Sequence, residues 1–183
     1  MDKKKLEKEL KGLKEEIVLL EVSSESVVEA SLTILKYLTD NGQIGIIVSA
    51  SRPYNSLFDL YKKHKINTKS LMIIDAISHK QGLKTEEVEN VFFVENIKSL
   101  TTIAIMIKES LEKIKKQKFV FIDSVTTMLI YNNPEVYMRF LHSTLSEMRN
   151  QGVGGILIFI ESEANEKIKM QLKTICDKVI TLN

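Results

Sequence analysis

The stretch Lys118-Phe119-Val120-Phe121-Ile122-Asp123-Ser124 constrains the fold more than any other part of the chain. Four consecutive apolar residues run without a break into an aspartate and a serine. Side chains of a strand alternate between its two faces. A strand with no polar residue inside it therefore has both faces covered, as parallel sheets do. Asp123 closes the run, so it sits where the strand leaves the sheet at its carboxyl end. In open α/β sheets ligands bind outside the carboxyl ends of the strands. Any active or binding site is thus expected near Asp123.

The rest of the sequence supplies matching parts. Ile17 to Leu20, Ile44 to Val48, Leu71 to Asp75, Val91 to Val94, Ile156 to Ile160 and Lys178 to Leu182 read as further strands. Segments with helical spacing lie between them. Val27, Val28, Ser31, Ile34, Leu35 and Leu38 form one face, ending at an Asn41-Gly42 stop signal. Leu57, Leu60 and Tyr61 mark a short helix. Ser99 can cap another that carries Leu100, Ile103, Ile107, Leu111 and Ile114. Pro134 suits the first turn of a helix reaching about Asn150, and a last helix is expected over about 164–175. Residues 76–90 read as a loop or short helix, and Val125 to Asn133 as a loop or turn. Strands alternating with helices imply parallel pairing through right-handed crossovers. The expected fold is a three-layer α/β/α sandwich with a mostly parallel central sheet. It forms one domain over 17–183, with an N-terminal surface helix in 1–16 laid against it through Leu6, Leu10 and Leu13.

Composition narrows the function classes. With 183 residues, 44% of them hydrophobic and 27% charged, the chain can bury a full core of ordinary type. A net charge of +2 makes no case for nucleic acid by itself. The lone Cys176 excludes an internal disulfide and suits a reducing compartment, so a cytoplasmic location is expected. No apolar run approaches the roughly 18 residues of a membrane-spanning helix, and the start shows no signal-peptide pattern.

A phosphate-binding loop needs a strand, a glycine-rich turn and a helix whose first amides face the anion. The strand from Ile17 and the helix from about Ser26 are correctly placed for one. The turn between them, Glu21-Val22-Ser23-Ser24-Glu25-Ser26, holds neither glycine nor lysine, and its two glutamates would repel phosphates. Ser23, Ser24 and Ser26 can cap the helix or donate to an anion. Gly82-Leu83-Lys84-Thr85 imitates the end of a phosphate loop but follows a polar stretch instead of a strand. Gly152, Gly154 and Gly155 read as turn glycines. His64, His79 and His142 have no zinc-site spacing, and His142 reads as a half-buried structural histidine. Cys176 reads as a core residue. The Lys3-Lys4-Lys5 run is read as a solvated helix start. Asp123 has two readings: a ligand, through water, to a nucleotide-bound Mg²⁺, or a strand-end carboxylate bonding the amides of the following turn.

Taken together, Phe119-Val120-Phe121-Ile122-Asp123-Ser124, the Ile44 strand, the long helix before Gly154-Gly155-Ile156-Leu157-Ile158 and the closing Cys176-Asp177-Lys178-Val179-Ile180-Thr181-Leu182 resemble RecA-like ATPases. The KaiC and RadA branch, common in archaea, is the most similar. The resemblance spans residues 17–182 and makes the string ending Ile122-Asp123-Ser124 the Walker B strand. It also implies a Walker A loop at residues 21–26, which the sequence lacks. A catalytic glutamate is implied just after the second strand, where Ser49-Ala50-Ser51-Arg52 stands instead. The resemblance therefore implies a vestigial nucleotide site at Asp123, Ser124, Ser23, Ser24 and Ser26, with no catalytic residues and no metal. No cofactor is expected, and Mg-ATP is disfavoured. The first expectation is a non-catalytic module whose partner is another protein or a second copy. It would use the strand carboxyl edge: Ser23 to Ser26, Ser49 to Tyr54, Asp123 to Thr127 and Glu161 to Glu163. Arg52-Pro53-Tyr54 is the most distinctive loop there; turn chemistry alone is its plainer reading. Two alternatives stand beside it. One is a nucleotide-binding protein or NTPase with a non-standard phosphate loop. The other is an accessory factor of DNA recombination or repair, motivated by the basic runs at 62–65 and 113–118. No membrane partner is expected.

Overall fold

The computed structural model describes residues 3–11, 15–79, 82, 88–161 and 166–182, and for residues 3–5 the backbone alone. In chain order the elements are α1 (Lys3–Leu10), β1 (Ile17–Val22), α2 (Val27–Asp40), β2 (Ile44–Ser49), α3 (Tyr54–Lys63), β3 (Leu71–Asp75) and β4 (Val91–Phe93). There follow α4 (Leu100–Lys113), β5 (Lys118–Asp123), α5 (Val125–Tyr131), α6 (Pro134–Asn150), β6 (Gly155–Ile160), α7 (Glu166–Ile175) and β7 (Lys178–Leu182). The strands form one sheet in the order β4-β3-β2-β5-β6-β1-β7, with every neighbouring pair parallel.

β5 lies at the centre, and its side chains divide as the sequence requires. Val120 and Ile122 join one core with α4, α5, α6 and α7. Phe119 and Phe121 join the opposite core with α1, α2 and α3. This is the expected three-layer sandwich. After β2 the chain moves to β3 on one side; after β5 it moves to β6 on the other. The strand order therefore reverses between β2 and β5, and such a switch point opens a crevice at the carboxyl edge. The register sets Ser49 directly beside Asp123 there.

Several local expectations change. Val125 to Tyr131 is a helix, α5, and not a loop; Val125, Thr126, Met128 and Leu129 are all buried. Most of this short helix is enclosed, so no polar face marks its period. Gly155 is the first residue of β6 and not a turn residue. A Cβ there would run into Met148 Cε and lie 3.0 Å from the Val120 carbonyl, so its absence lets α6 close on the sheet. Gly152, with φ +63°, is the true turn glycine. His142 is exposed and not half-buried. Cys176 is half-buried against the core; burial pushes its thiol up to about 12, so it stays protonated and weakly nucleophilic at neutral pH. The N-terminal helix is shorter than expected, though Leu6 and Leu10 are buried as anticipated. Leu13, residues 80, 81 and 83–87 of the 76–90 loop (Leu83 to Thr85 among them), Ser162, Glu163, the first residues of the expected last helix and the Lys3 to Lys5 side chains lie outside the described residues.

A clip joins the first strand to the last. Asp177 Oδ2 accepts the Ile17 amide at 2.8 Å, and Oδ1 accepts from Arg149 Nη2 at 2.9 Å. The Asp177 amide donates back to the Ile17 carbonyl at 2.8 Å.

Candidate functional site

Three loops meet at the carboxyl edge, after β1, β2 and β5. The β2 loop is held by Asp75 at the end of β3. Its carboxylate is fully buried. Oδ2 accepts the Tyr54 amide at 2.7 Å and the Ser78 hydroxyl at 2.5 Å. Oδ1 accepts the Ile77 and Ser78 amides at 2.8 and 2.9 Å. Ser49 Oγ donates to the Arg52 carbonyl at 2.6 Å. Tyr54 packs edge-on against Phe93 and Phe58, with centroids 5.3 and 6.0 Å away. Arg52-Pro53-Tyr54 is thus a pinned turn with the Arg52 side chain exposed.

At the end of β5 the two predicted residues part company. Ser124 is buried and caps α5, its Oγ accepting the Thr127 amide at 3.1 Å. That leaves the half-buried Asp123 carboxyl free of the following turn, contrary to its strand-end reading. It faces Ser51, whose Oγ approaches Oδ1 at 3.4 Å, a long and weak bond. Asp123 belongs to a cleft of about 330 Å³ between α2 and α3. Val28, Leu32, Leu57 and Leu60 give it apolar walls; Ser31, Ser51 and Thr127 add hydroxyls.

Burial pushes the Asp123 carboxyl above its ordinary range, while the Ser51 hydroxyl and the Arg52 charge pull it back. A carboxyl with a raised folded pKa holds its proton more tightly when folded. Its contribution to stability is fully present below the unfolded pKa and is lost as pH rises through the folded value. Asp123→Asn cannot ionise, so it should raise stability at neutral pH, on the order of 1 kcal/mol. Thermal melts across pH check the sign: the gain should vanish below the ordinary carboxylate range, and a loss at neutral pH would contradict it.

The β1 turn does not complete this cleft. Its walls include Val27 and Val28 but none of Ser23, Ser24 or Ser26. The Ser23 carbonyl accepts both the Ser26 and the Val27 amides at 3.1 Å. Ser26 stands at the N-cap position but makes no side-chain cap bond, and Ser24 is exposed. Glu21 does not face an incoming phosphate. It is buried on the α7 side, where Lys173 lies at 2.8 Å, Lys169 at 3.7 Å, and Thr181 Oγ1 donates at 2.9 Å. Burial would raise its carboxyl, but these partners hold it below the usual range.

The basic runs lie elsewhere. Lys62 to Lys65 end α3, and Lys113 to Lys118 lead from α4 into β5, both at the amino edge of the sheet, away from Asp123. Lys115 and Lys118 donate to the carbonyls of Glu112 and Ile114 at 2.9 and 2.6 Å. Among the described residues no helix is long and apolar enough to cross a membrane, and no group of three His, Cys, Asp or Glu could hold a metal ion.

The sequence matches the family described as ATPase: KaiC over residues 30–183. The chain belongs to the KaiC ATPase family. No curated protein matches it. Among solved structures 234 chains match, so the fold alone does not choose a function. One is an uncharacterised protein from Pyrococcus horikoshii, crystallised in complex with an unknown peptide. It superposes with a TM-score of 0.74 at 14% identity, covering 98% of this chain and 82% of that one. In this KaiC-family chain Asp123 stands at the end of β5, on the carboxyl edge of the sheet. Sequence reasoning placed Ser31 and Tyr61 only on helical faces and Asp75 only at a strand end, whereas Ser31 and Tyr61 line the cleft and Asp75 holds the β2 loop. Ser31 left a signal, as the one hydroxyl in an otherwise apolar helical face.

Proposed function

We propose that this KaiC-family domain is a degenerate, non-catalytic form that binds protein through its carboxyl edge. The β1–α2 turn carries the reading. Phosphate binding at a helix start needs amides that point outward without partners. Here the Ser26 and Val27 amides are engaged by the Ser23 carbonyl, and no glycine or lysine stands in the turn. Phosphoryl transfer relies on positioning and charge neutralisation. Ser51 and Arg52 follow β2 where an acid would be needed to activate water. A peptide bound to the Pyrococcus protein gives this fold a precedent for polypeptide partners.

The test is thermal unfolding with Mg-ATP and Mg-GTP. A nucleotide at about 100 times its Kd would stabilise the fold by roughly 2.7 kcal/mol, about 5–10 °C in Tm for a chain of this size. The expected result is no shift and no phosphate release above background. A clear shift that Asp123→Ala removes would establish a nucleotide site instead.

A further inference from the structure

The cleft between α2 and α3 is chemically unfinished. Ser31 is 8% exposed and lines it, yet its Oγ has no hydrogen-bond partner among the described residues. A serine inside a helix usually turns its hydroxyl back to a carbonyl one turn earlier, as Thr33 does to Glu29 at 2.8 Å. The Asp123 carboxyl lines the same cleft, with the 3.4 Å approach of Ser51 as its one side-chain hydrogen bond among the described residues. Arg52 influences Asp123 through charge, but among the described residues it forms no ion pair, and it is exposed where it lines the cleft.

The apolar walls ask for something different from the polar groups. Val28, Leu32, Leu57 and Leu60 are apolar. The same cleft presents a carboxyl acceptor, Asp123, and an unsatisfied hydroxyl, Ser31. A ligand suited to both has an aliphatic stem and a cationic, hydrogen-bond-donating head. Lysine and arginine side chains have that form. The cleft is also not closed. Val28 and Leu32 also line a second groove of about 480 Å³ that follows α2 as far as His64. Its rim carries the exposed Glu25, while its lysine, Lys36, is already paired with Asp40 at 2.9 Å. This α2 groove, with Glu25 in its lining and the Asp123 cleft adjoining it at Val28 and Leu32, suits an extended polypeptide better than an isolated amine.

We propose that this groove receives a segment of a partner polypeptide and that a lysine or arginine of the segment enters the cleft, its head on Asp123 and its stem against Val28 and Leu32. The inference rests on the protein-binding reading above and names the chemistry that reading would recognise. Ser31 and Ser51 would complete the donor and acceptor set around the head group. Arg52 would be displaced from the neighbourhood of Asp123.

Amide chemical shifts of the labelled full chain test it. The probes are acetylated Leu-Ser-X-Ser-Leu amides, with X arginine, norleucine or glutamate. The arginine peptide should give saturable shifts at Ser31, Ser51, Asp123 and Thr127. It should bind about tenfold or more tightly than the norleucine peptide, the size of one charge-assisted hydrogen bond. Asp123→Asn should erase that difference while still melting in one cooperative transition, at or slightly above the native temperature. Arg52→Ala should preserve or strengthen arginine binding. Equal binding of arginine and norleucine would reduce the cleft to an apolar groove and overturn the inference. So would preference for glutamate, or no saturable shift at millimolar peptide. The nucleotide melts are read separately. A nucleotide shift overturns the non-catalytic reading; its absence together with failed arginine binding overturns only this inference.

Discussion

Asp75→Ala should lower the free energy of unfolding by about 3–5 kcal/mol. The carboxylate is fully buried and accepts four hydrogen bonds, from the amides of Tyr54, Ile77 and Ser78 and from the Ser78 hydroxyl. Removing it strands several donors at once, each costing about 1–3 kcal/mol if buried without a partner, less what water recovers. Urea unfolding at constant m-value measures the loss. Because Tyr54 begins α3, the damage should spread to the cleft wall: amide exchange at Tyr54 and Leu57 should accelerate before that of β5. A loss below about 1 kcal/mol would mean the Arg52–Tyr54 turn is held by other contacts.

Phe121→Ala should cost a similar amount, about 3–5 kcal/mol, for a different reason. Phe121 is fully buried on the central strand, between neighbours on β2 and β6. Its removal leaves a cavity beneath α2 and α3 that strands paired on both sides cannot collapse to fill. Ile130→Ala provides the contrast. Ile130 is 72% exposed, and its loss should stay within about 0.5 kcal/mol. Similar costs for the two substitutions would contradict the assignment of β5 as the centre of the sheet.

The strands were legible because a parallel sheet covered on both faces needs unbroken apolar runs, and Phe119 to Ile122 is the plainest of them. The exposed faces of α2, α4 and α6 were legible because water on one side imposes a period. α5 was not, since Val125, Thr126, Met128 and Leu129 leave little surface to carry one. Ser124 did hold the clue, as a capping serine with its acceptor turned to Thr127. Strand order had no sequence signal: nothing in Ile17 to Val22 says that it pairs with β6 and β7. At the site, Asp123 was legible from its place at a strand end. Its surroundings were not, because the cleft is made by side chains of α2 and α3 that meet only after the helices pack. Asp75 is also a strand-end aspartate, yet it is a buried anchor, so position alone does not separate the two roles.

The placement of β1 has a consequence for how the chain is made. Its partners in the sheet are β6 and β7. β1 ends at Val22, and the nearer partner begins only at Gly155. During synthesis the apolar segment Ile17 to Leu20 therefore has no strand to pair with until most of the chain has emerged. At about 5–20 residues per second that interval is on the order of ten seconds. β2 and β3, by contrast, can associate soon after they are translated. The newborn protein passes through a stage in which one half of its sheet is formed and its first strand waits, a natural substrate for chaperones that hold exposed apolar chain.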